Sequence, residues 1–159
     1  MSAESDSEEA ANPGFVRPPQ IYLIAILGGI GLDLLRPLRW LPGIIGPCFG
    51  VPLVIAALAI FLTSTNRFKA AGTPVPGDQP TTRIVRSGPY RFSRNPIYLS
   101  FSLLVLGIAF WRNSVWLLGT LAVAVGLMSF IVIPREERYL ERRFGPEYLG
   151  YKMKVRRWL

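Results

Sequence analysis

Four long apolar stretches dominate this 159-residue chain. They run over about 19–35, 43–63, 97–111 and 114–133. Crossing a hydrocarbon core takes roughly 20 helical residues, so the second and fourth stretches are long enough and the shorter two need tilt or a locally thinner bilayer. All four are apolar nearly all round, whereas the helices of a soluble bundle keep a polar face. We therefore predict an all-α, polytopic membrane protein with about four transmembrane helices.

Positive charge is concentrated in two segments between and after these stretches. Lysine and arginine are dense in the loop 64–96 and in the tail 134–159, whereas the opposite side of the predicted bundle keeps Arg36, Arg39 and Arg112. Because loops rich in these residues stay on the cytoplasmic side, we expect both termini and both basic segments there. The net charge of +8 then fits contact with anionic membrane lipids better than binding of nucleic acid.

The remaining segments are expected to surround a single membrane domain, residues 19–159. Residues 1–18 start with acidic and small side chains, which predicts a disordered tail. The loop 64–96 is long and rich in glycine and proline, which favours an ordered cap. Pro134 suits the start of a helix, and a second short helix is expected after Gly145. That second helix is expected to turn its cations toward lipid headgroups: Lys152, Lys154, Arg156 and Arg157.

Small residues recur within the apolar stretches at the spacing of helix contacts. They allow helix backbones to approach closely, either inside one protomer or across a homodimer. The residues concerned are Gly28, Gly29 and Gly31, then Gly46 and Gly50, then Gly119, Ala122 and Gly126.

Several function classes are disfavoured by what the sequence contains. The chain has no histidine and one cysteine, Cys48, so we expect no metal site, no disulfide and no histidine base. Asp33 is the only ionisable residue within the apolar stretches, near the outer end of the first. Transporters and proton relays usually place such groups at mid-membrane, so a channel or pump is a poor fit.

A turn-rich basic segment and an acidic pair flank the last two apolar stretches. The first contains Arg91, Arg94 and Asn95, and the second is Glu136-Glu137. A helical hairpin returns the chain to the side that it left, so these two patches can meet at one face. Arginine can fork onto a carboxylate, glutamate can hold an ammonium, and aromatic rings can contact a sulfonium or a purine. The mixture suits a zwitterionic ligand with a cationic centre. A solvated network of salt bridges with a belt of tyrosines is the alternative.

The order of these motifs resembles that of the isoprenylcysteine carboxyl methyltransferase and phospholipid methyltransferase superfamily. The resemblance covers roughly residues 72–157 and rests on Gly88-Pro89-Tyr90-Arg91, Arg94-Asn95-Pro96-Ile97-Tyr98, the apolar hairpin, Glu136-Glu137, and Phe144-Gly145-Pro146-Glu147-Tyr148 with Tyr151. It implies an integral membrane enzyme, in a bacterial inner membrane, that binds S-adenosylmethionine at the cytoplasmic face without a Rossmann domain. The missing glycine-rich dinucleotide fingerprint agrees with that implication.

The resemblance also implies roles for individual residues. The reacting groups would lie near Arg91, Arg94 and Glu137. The cofactor shell would comprise Arg94, Asn95, Pro96, Tyr98, Glu136 and Glu137, closed by Tyr148 and Tyr151 of the C-terminal helices, under a loop shaped by Gly88, Pro89 and Tyr90.

One position departs from the family pattern, because Asn95 stands where the family has histidine. Asparagine still donates and accepts hydrogen bonds but does not titrate. Methyl transfer from a sulfonium depends mainly on alignment and on a desolvated nucleophile, so this substitution is compatible with activity.

The methyl acceptor is expected to be lipophilic or a small amphiphile, such as an isoprenylcysteine carboxylate or a phospholipid, that enters between the helices. Two other functions stay open for this architecture. One is a membrane reductase that uses a nicotinamide cofactor, and the other is a scaffold that does not catalyse a reaction.

Overall fold

The computed structural model describes residues 17–74 and 81–159. Residues 1–16 of the predicted acidic tail and 75–80 of the predicted loop lie outside the described residues. The described part is helical, with the following elements: α1 (Pro18–Leu35), α2 (Ile45–Ala70), a 3₁₀ turn (Gly88–Arg91), α3 (Pro96–Arg112), α4 (Val115–Leu127), a π-helical turn (Met128–Val132), α5 (Ile133–Phe144) and α6 (Pro146–Lys154).

Three continuous helices are long and apolar enough to cross a membrane, namely Pro18–Leu35, Ile45–Ala70 and Val115–Phe144, the last of which joins α4 to α5. The fourth predicted span, α3, is an apolar helix of 17 residues. At 1.5 Å per residue, it is about 25 Å long. The prediction of an all-α polytopic membrane protein is therefore confirmed.

The second span is longer than the apolar pattern predicted, because α2 continues beyond residue 63 to Ala70. The polar residues of this extension do not break the helix. The hydroxyl groups of Thr63 and Thr65 donate to the carbonyl oxygens one turn earlier, of Ala59 at 2.7 Å and Phe61 at 3.0 Å. Threonine can bond within its own helix in this way, so a polar side chain needs no outside partner there.

A Schellman motif ends α2 and starts the loop. Gly72 has a φ of +63°, its N–H donates to the carbonyl of Lys69, and the N–H of Thr73 donates to Phe68. Glycine takes this left-handed conformation without a Cβ penalty. The Thr73 hydroxyl then accepts a hydrogen bond of 2.9 Å from the backbone N–H of Thr82, which holds together the two described sides of the loop.

Close helix contacts use part of the predicted small-residue pattern. A Cβ added at Gly50 would lie 2.5 Å from the backbone nitrogen of Trp111, and one added at Gly46 would lie 2.4 Å from the Phe110 carbonyl, so α2 and α3 touch backbone to backbone. Gly29 similarly receives Leu117 of α4. A Cβ added at any of the other four predicted glycines would meet nothing within 4 Å: Gly28, Gly31, Gly119 and Gly126. The homodimer stays a prediction.

The antiparallel helices give the bundle two ends. The far end carries the connection 36–44 and Asn113, which caps α3 in a left-handed conformation with a φ of 54°. Its side-chain amide donates to the Leu41 carbonyl at 2.6 Å. The tail end carries the described loop residues 81–95 and residues 133–159. The α3–α4 hairpin has therefore returned the chain to the tail end, where the basic segment and the acidic pair both lie.

Candidate functional site

A cavity of about 710 Å³ opens at the tail end of the bundle. Its volume lies within the 300–1,000 Å³ that is typical of sites for small molecules. The start of α1, the last turns of α2, the start of α3, the loop, α5 and α6 all contribute to its wall. Apolar and aromatic residues line much of it, including Phe61, Phe68, Ile84, Val85, Ile97, Phe101 and Leu140.

The acidic pair enters this cavity from α5, just after the π-helical turn. Both Glu136 and Glu137 line the cavity. Neighbouring residues on a helix point about 100° apart, so the two carboxylates have different surroundings. Glu136 accepts a hydrogen bond of 3.0 Å from the hydroxyl of Tyr98 on α3. This contact joins the two helices of the hairpin at the level of the site.

Glu137 is buried and surrounded by cations. Arg157 donates to both of its oxygens, from Nε at 3.1 Å and from Nη2 at 2.7 Å. Nη1 of Arg94 lies 3.2 Å from Oε1, and Nζ of Lys152 lies 3.8 Å from Oε2. The two-pronged contact raises the pKa of Arg157, because the ion pair stabilises its charged form. Glu137 thus pairs with three cations, Arg157, Arg94 and Lys152.

Arg94 combines burial with incomplete hydrogen bonding. Its side chain is 10% exposed and lines the cavity. Its Nε and Nη1 atoms find no hydrogen-bond partner among the described residues, since the contact to Glu137 is a close ion pair without hydrogen-bond geometry. A buried donor without a partner is costly, so this guanidinium has capacity to bind an anionic or carbonyl group in the cavity.

Asn95 lines the cavity and also contacts the C-terminus. Its side-chain amide donates to the carbonyl of Arg157 at 3.0 Å, and its backbone N–H donates to the Ser93 hydroxyl at 3.1 Å. The backbone N–H of Arg94 donates to the carbonyl of Arg156 at 2.9 Å. Residues 155–159, which we call the C-terminal strap, therefore run alongside residues 93–95.

The placement of Arg157 corrects a prediction. The sequence pattern assigned it, with its neighbours, to lipid headgroups, but α6 ends at Lys154 and the extended strap directs Arg157 back onto Glu137. Lys152 also pairs with Glu141 rather than pointing only outward. A helical pattern continued beyond the true helix end gives the wrong face for every later residue.

Tyrosines close the site on the side of the loop and α6. The Tyr151 hydroxyl donates to the Tyr90 carbonyl at 2.7 Å, and the Tyr90 ring packs edge-on against Phe68 at 5.2 Å. The rings of Tyr148 and Tyr151 lie 6.2 Å apart. Burial raises the pKa of Tyr148 to about 12 and also raises the pKa of Tyr90 and of Tyr151. All three phenols therefore stay neutral at physiological pH.

Most of the site residues predicted from the sequence line this cavity: Tyr90, Arg94, Asn95, Tyr98, Glu136, Glu137, Tyr148 and Tyr151. The others lie behind it. Gly88 and Pro89 begin the 3₁₀ turn that presents Tyr90, and Pro96 begins α3. Arg91 is exposed and does not line the cavity, so its predicted part in the reaction has no geometric support.

Several cavity residues were missed by the sequence analysis. Those on α2 are Phe61, Thr65 and Phe68, which follow an i, i+4, i+7 pattern on one helix face. That spacing was a usable signal. The start of α1 and the loop residues Thr81, Arg83, Ile84 and Val85 also line the cavity and carry no comparable signal. Arg157, which contacts Glu137 behind the cavity wall, carries none either, because its position depends on contacts far apart in the sequence.

Comparison with known proteins identifies the family of the chain. Residues 45–147, more than half of the chain, match the phospholipid methyltransferase family model. The chain belongs to that family, and it is an integral membrane protein of a methyltransferase family.

Individual relatives resemble parts of the chain. An uncharacterized protein of Haemophilus influenzae is 47% identical over 64 residues, which is 40% of this chain and all of that protein. The cobalt-zinc-cadmium resistance protein CzcN of Cupriavidus metallidurans is 33% identical over 62% of this chain and 44% of its own length. Methanethiol S-methyltransferase 1 of Bradyrhizobium diazoefficiens is 41% identical over 42% of this chain and 22% of its own length. The last two relatives are thus matched over less than half of their length. No solved structure matches the chain.

Proposed function

We propose that this protein is a membrane methyltransferase that uses S-adenosylmethionine to methylate a lipophilic or small amphiphilic acceptor. The observation that carries the proposal is the cavity at the tail end, where the unsatisfied buried donors of Arg94 face the same space as the carboxylate of Glu136 and a wall of aromatic rings. Family membership supports methyl transfer, and the chemistry of the cavity supports the cofactor.

The polar groups of the cavity fit the parts of S-adenosylmethionine. Arg94 would bind its carboxylate, because a guanidinium forks onto carboxylates. Glu136, beside Tyr98, would hold the ammonium or a ribose hydroxyl. The rings of Tyr90, Tyr148 and Tyr151 would contact the sulfonium and the purine, as aromatic faces attract cations and stack on bases.

The protein's part in the reaction would be alignment and exclusion of water. When bound, the cofactor supplies a methyl group on a sulfonium, which passes to a lone pair of the acceptor as the carbon–sulfur bond breaks. α6 and the loop cover the site, and the apolar wall from Phe61 to Phe101 would desolvate the acceptor. Holding reactants in line in a dry site contributes a large part of such a barrier reduction.

The acceptor would reach the cavity from the membrane or its surface. An isoprenylcysteine carboxylate and a phospholipid amine both combine a nucleophilic head with an apolar tail, which suits a cavity with one polar region and an apolar wall. The name of the methanethiol relative adds a small thiol to these candidates. The positive charge of the tail and loop supports a cytoplasmic site.

A binding and transfer assay tests the proposal. Purified protein is titrated with S-adenosylmethionine by calorimetry and then incubated with the radiolabelled cofactor and lipid extracts, small thiols and prenylcysteines. We expect saturable binding and one class of labelled product. Glu136→Gln should weaken binding about tenfold by removing a charge-assisted contact, whereas Glu147→Gln, at an exposed glutamate, should not. Failure of the wild-type protein to bind the cofactor would overturn the proposal, and displacement by a nicotinamide nucleotide would favour the reductase.

A further inference from the structure

The C-terminal strap contacts both halves of the site at once. On one side its backbone follows residues 93–95, with the Ser93 and Asn95 side chains both near the Arg157 carbonyl, at 3.3 and 3.0 Å. On the other side the Arg157 side chain reaches Glu137 on α5. The strap therefore links the segment before α3 to the helix after α4, independently of the membrane hairpin.

The two-pronged contact of Arg157 fixes the orientation of the Glu137 carboxylate. Nε and Nη2 each bond a different oxygen, at 3.1 and 2.7 Å, which sets the plane of the carboxylate as well as its position. Arg94 and Lys152 each approach one oxygen only, at 3.2 and 3.8 Å. Among the described residues, Arg157 is the group that determines how Glu137 faces Arg94.

The π-helical turn provides the second anchor of the strap. The carbonyl of Ser129, within that turn, accepts from Nη1 of Arg157 at 3.3 Å, and the Ser129 hydroxyl accepts from the indole of Trp158 at 3.3 Å. π-helical turns shift the backbone hydrogen bonds and often occur at functional sites. Here Ser129 receives the strap about two helical turns before the acidic pair.

We propose that Arg157 is a positioning residue that orients Glu137, and through it Arg94, for binding of the methyl donor. We further infer that Asn95 acts by holding the strap through the Arg157 carbonyl and not by bonding the donor. Both statements rest on the proposed function. They assign a role to the asparagine that replaces the family's histidine, because an amide N–H can hold a carbonyl without any titratable group.

The first test compares two tail variants that each lose one positive charge. Arg157→Gln should weaken binding of S-adenosylmethionine about tenfold, while Lys154→Gln, exposed at the end of α6, should bind like the wild type. Arg157→Lys keeps the charge but loses the fork, so its affinity should be intermediate. Millimolar guanidinium should restore part of the binding that Arg157→Ala loses and should leave the binding of Lys154→Gln unchanged. Equal affinities for Arg157→Gln and Lys154→Gln would overturn the role of Arg157.

The second test is a double-mutant cycle between Asn95 and the strap. In the full chain, Asn95→Ala should weaken donor binding, whereas in a chain ending at Arg156 the same change should add nothing, because its partner carbonyl is gone. Additional loss in the shortened chain would show direct contact with the donor and overturn our assignment. Asn95→His, which keeps an N–H donor, should bind better than Asn95→Asp, which has none at neutral pH.

Proteolysis provides a readout that does not depend on donor binding and can be compared with the thermal stability of each variant. Brief digestion with trypsin followed by intact mass should release the C-terminal residues faster from Asn95→Asp than from wild type, with thermal unfolding recorded for each. Unchanged release would overturn the holding role of Asn95. Absence of donor binding by the wild-type protein would overturn the proposed function, whereas wild-type binding with an unaffected Arg157→Gln overturns the inference alone.

Discussion

Each end of the helical bundle holds a buried carboxylate between arginines, yet the two ends differ in what remains unsatisfied. At the far end Asp33 is fully buried, and Arg39 and Arg112 contact it at 3.0 to 3.3 Å. Nη1 of Arg39 also donates to the Arg112 carbonyl at 2.7 Å. At the tail end Glu137 is equally well held, but Nε and Nη1 of Arg94 make no hydrogen bond among the described residues, although Nη1 forms an ion pair with Glu137 beside the cavity.

The hydrogen bonds distinguish a structural contact at the far end from a candidate binding site at the tail end. The same residue types, carboxylate and guanidinium, occur at both ends, so composition does not distinguish them. At the far end the charges join the connection 36–44 to the α3–α4 turn. At the tail end the group with unbonded buried donors is a charged guanidinium that lines a cavity, and a buried donor of this kind calls for an explanation such as a bound ligand.

The largest expected effect lies at the far end. Asp33→Ala removes the acceptor of several charge-assisted hydrogen bonds and should lower the free energy of unfolding by about 3 kcal/mol. Thermal unfolding in detergent measures this. Donor affinity of the folded fraction should stay at the wild-type value, since the far end has no contact with the cavity. A wild-type melting temperature for this variant would show that the contacts of Asp33 do not stabilise the protein.

The next effect lies at the tail end and concerns binding. Arg94→Gln should weaken binding of S-adenosylmethionine roughly 30-fold, or about 2 kcal/mol, because it removes the buried guanidinium assigned to the donor's carboxylate. Its unfolding temperature should change less than that of Asp33→Ala. Arg138→Gln, at an exposed arginine of α5, serves as the matched control in calorimetry. Equal affinities for the two variants would contradict the distinction between the ends.

The contact between α2 and α3 near the far end provides a test with a smaller expected effect. Gly50→Ala places a methyl group 2.5 Å from a backbone nitrogen of α3 and should destabilise the protein by about 1.5 kcal/mol. Gly28→Ala, where a Cβ meets nothing within 4 Å, should stay within about 0.5 kcal/mol of the wild type. Thermal unfolding of the pair compares them directly. A tolerated Gly50→Ala would indicate looser contact between α2 and α3.

The smallest effect is a dependence on alkaline pH. Tyr148 has its pKa raised from 10.0 to about 12 by burial, so its contribution to stability is complete below pH 10 and is lost as pH rises toward 12. Tyr148→Phe should reduce the loss of stability between pH 9 and pH 11 by about 1 kcal/mol. Chemical denaturation at both pH values measures it. An unchanged pH slope would show that this phenol is accessible to solvent in the folded protein.

Much of the fold followed from hydropathy, and the errors have local causes. The ends of α1 and α3 agree with the apolar stretches to within one residue, because proline and the capping asparagine mark them. The end of α2 was placed too early, since threonines that bond within their own helix look like a break in a pattern.

The sequence motifs predicted the part of the candidate site that their own residues form. Arg94, Tyr98 and the acidic pair share the cavity because a hairpin must bring its two ends together. Arg157 could not be placed in this way. It lies 20 residues after Glu137 in the sequence, and its contact depends on where α6 ends and on how the strap then follows residues 93–95.

The sequence by itself determined a helical membrane protein whose basic and acidic segments lie at one end, because long apolar runs must be helical in lipid and a hairpin reverses direction. Only the tertiary structure decided which charges satisfy one another and which are left to a ligand. The physical reason is that hydrogen-bond satisfaction depends on distances of a few tenths of an ångström between side chains from separate helices, and no spacing within one helix encodes those distances.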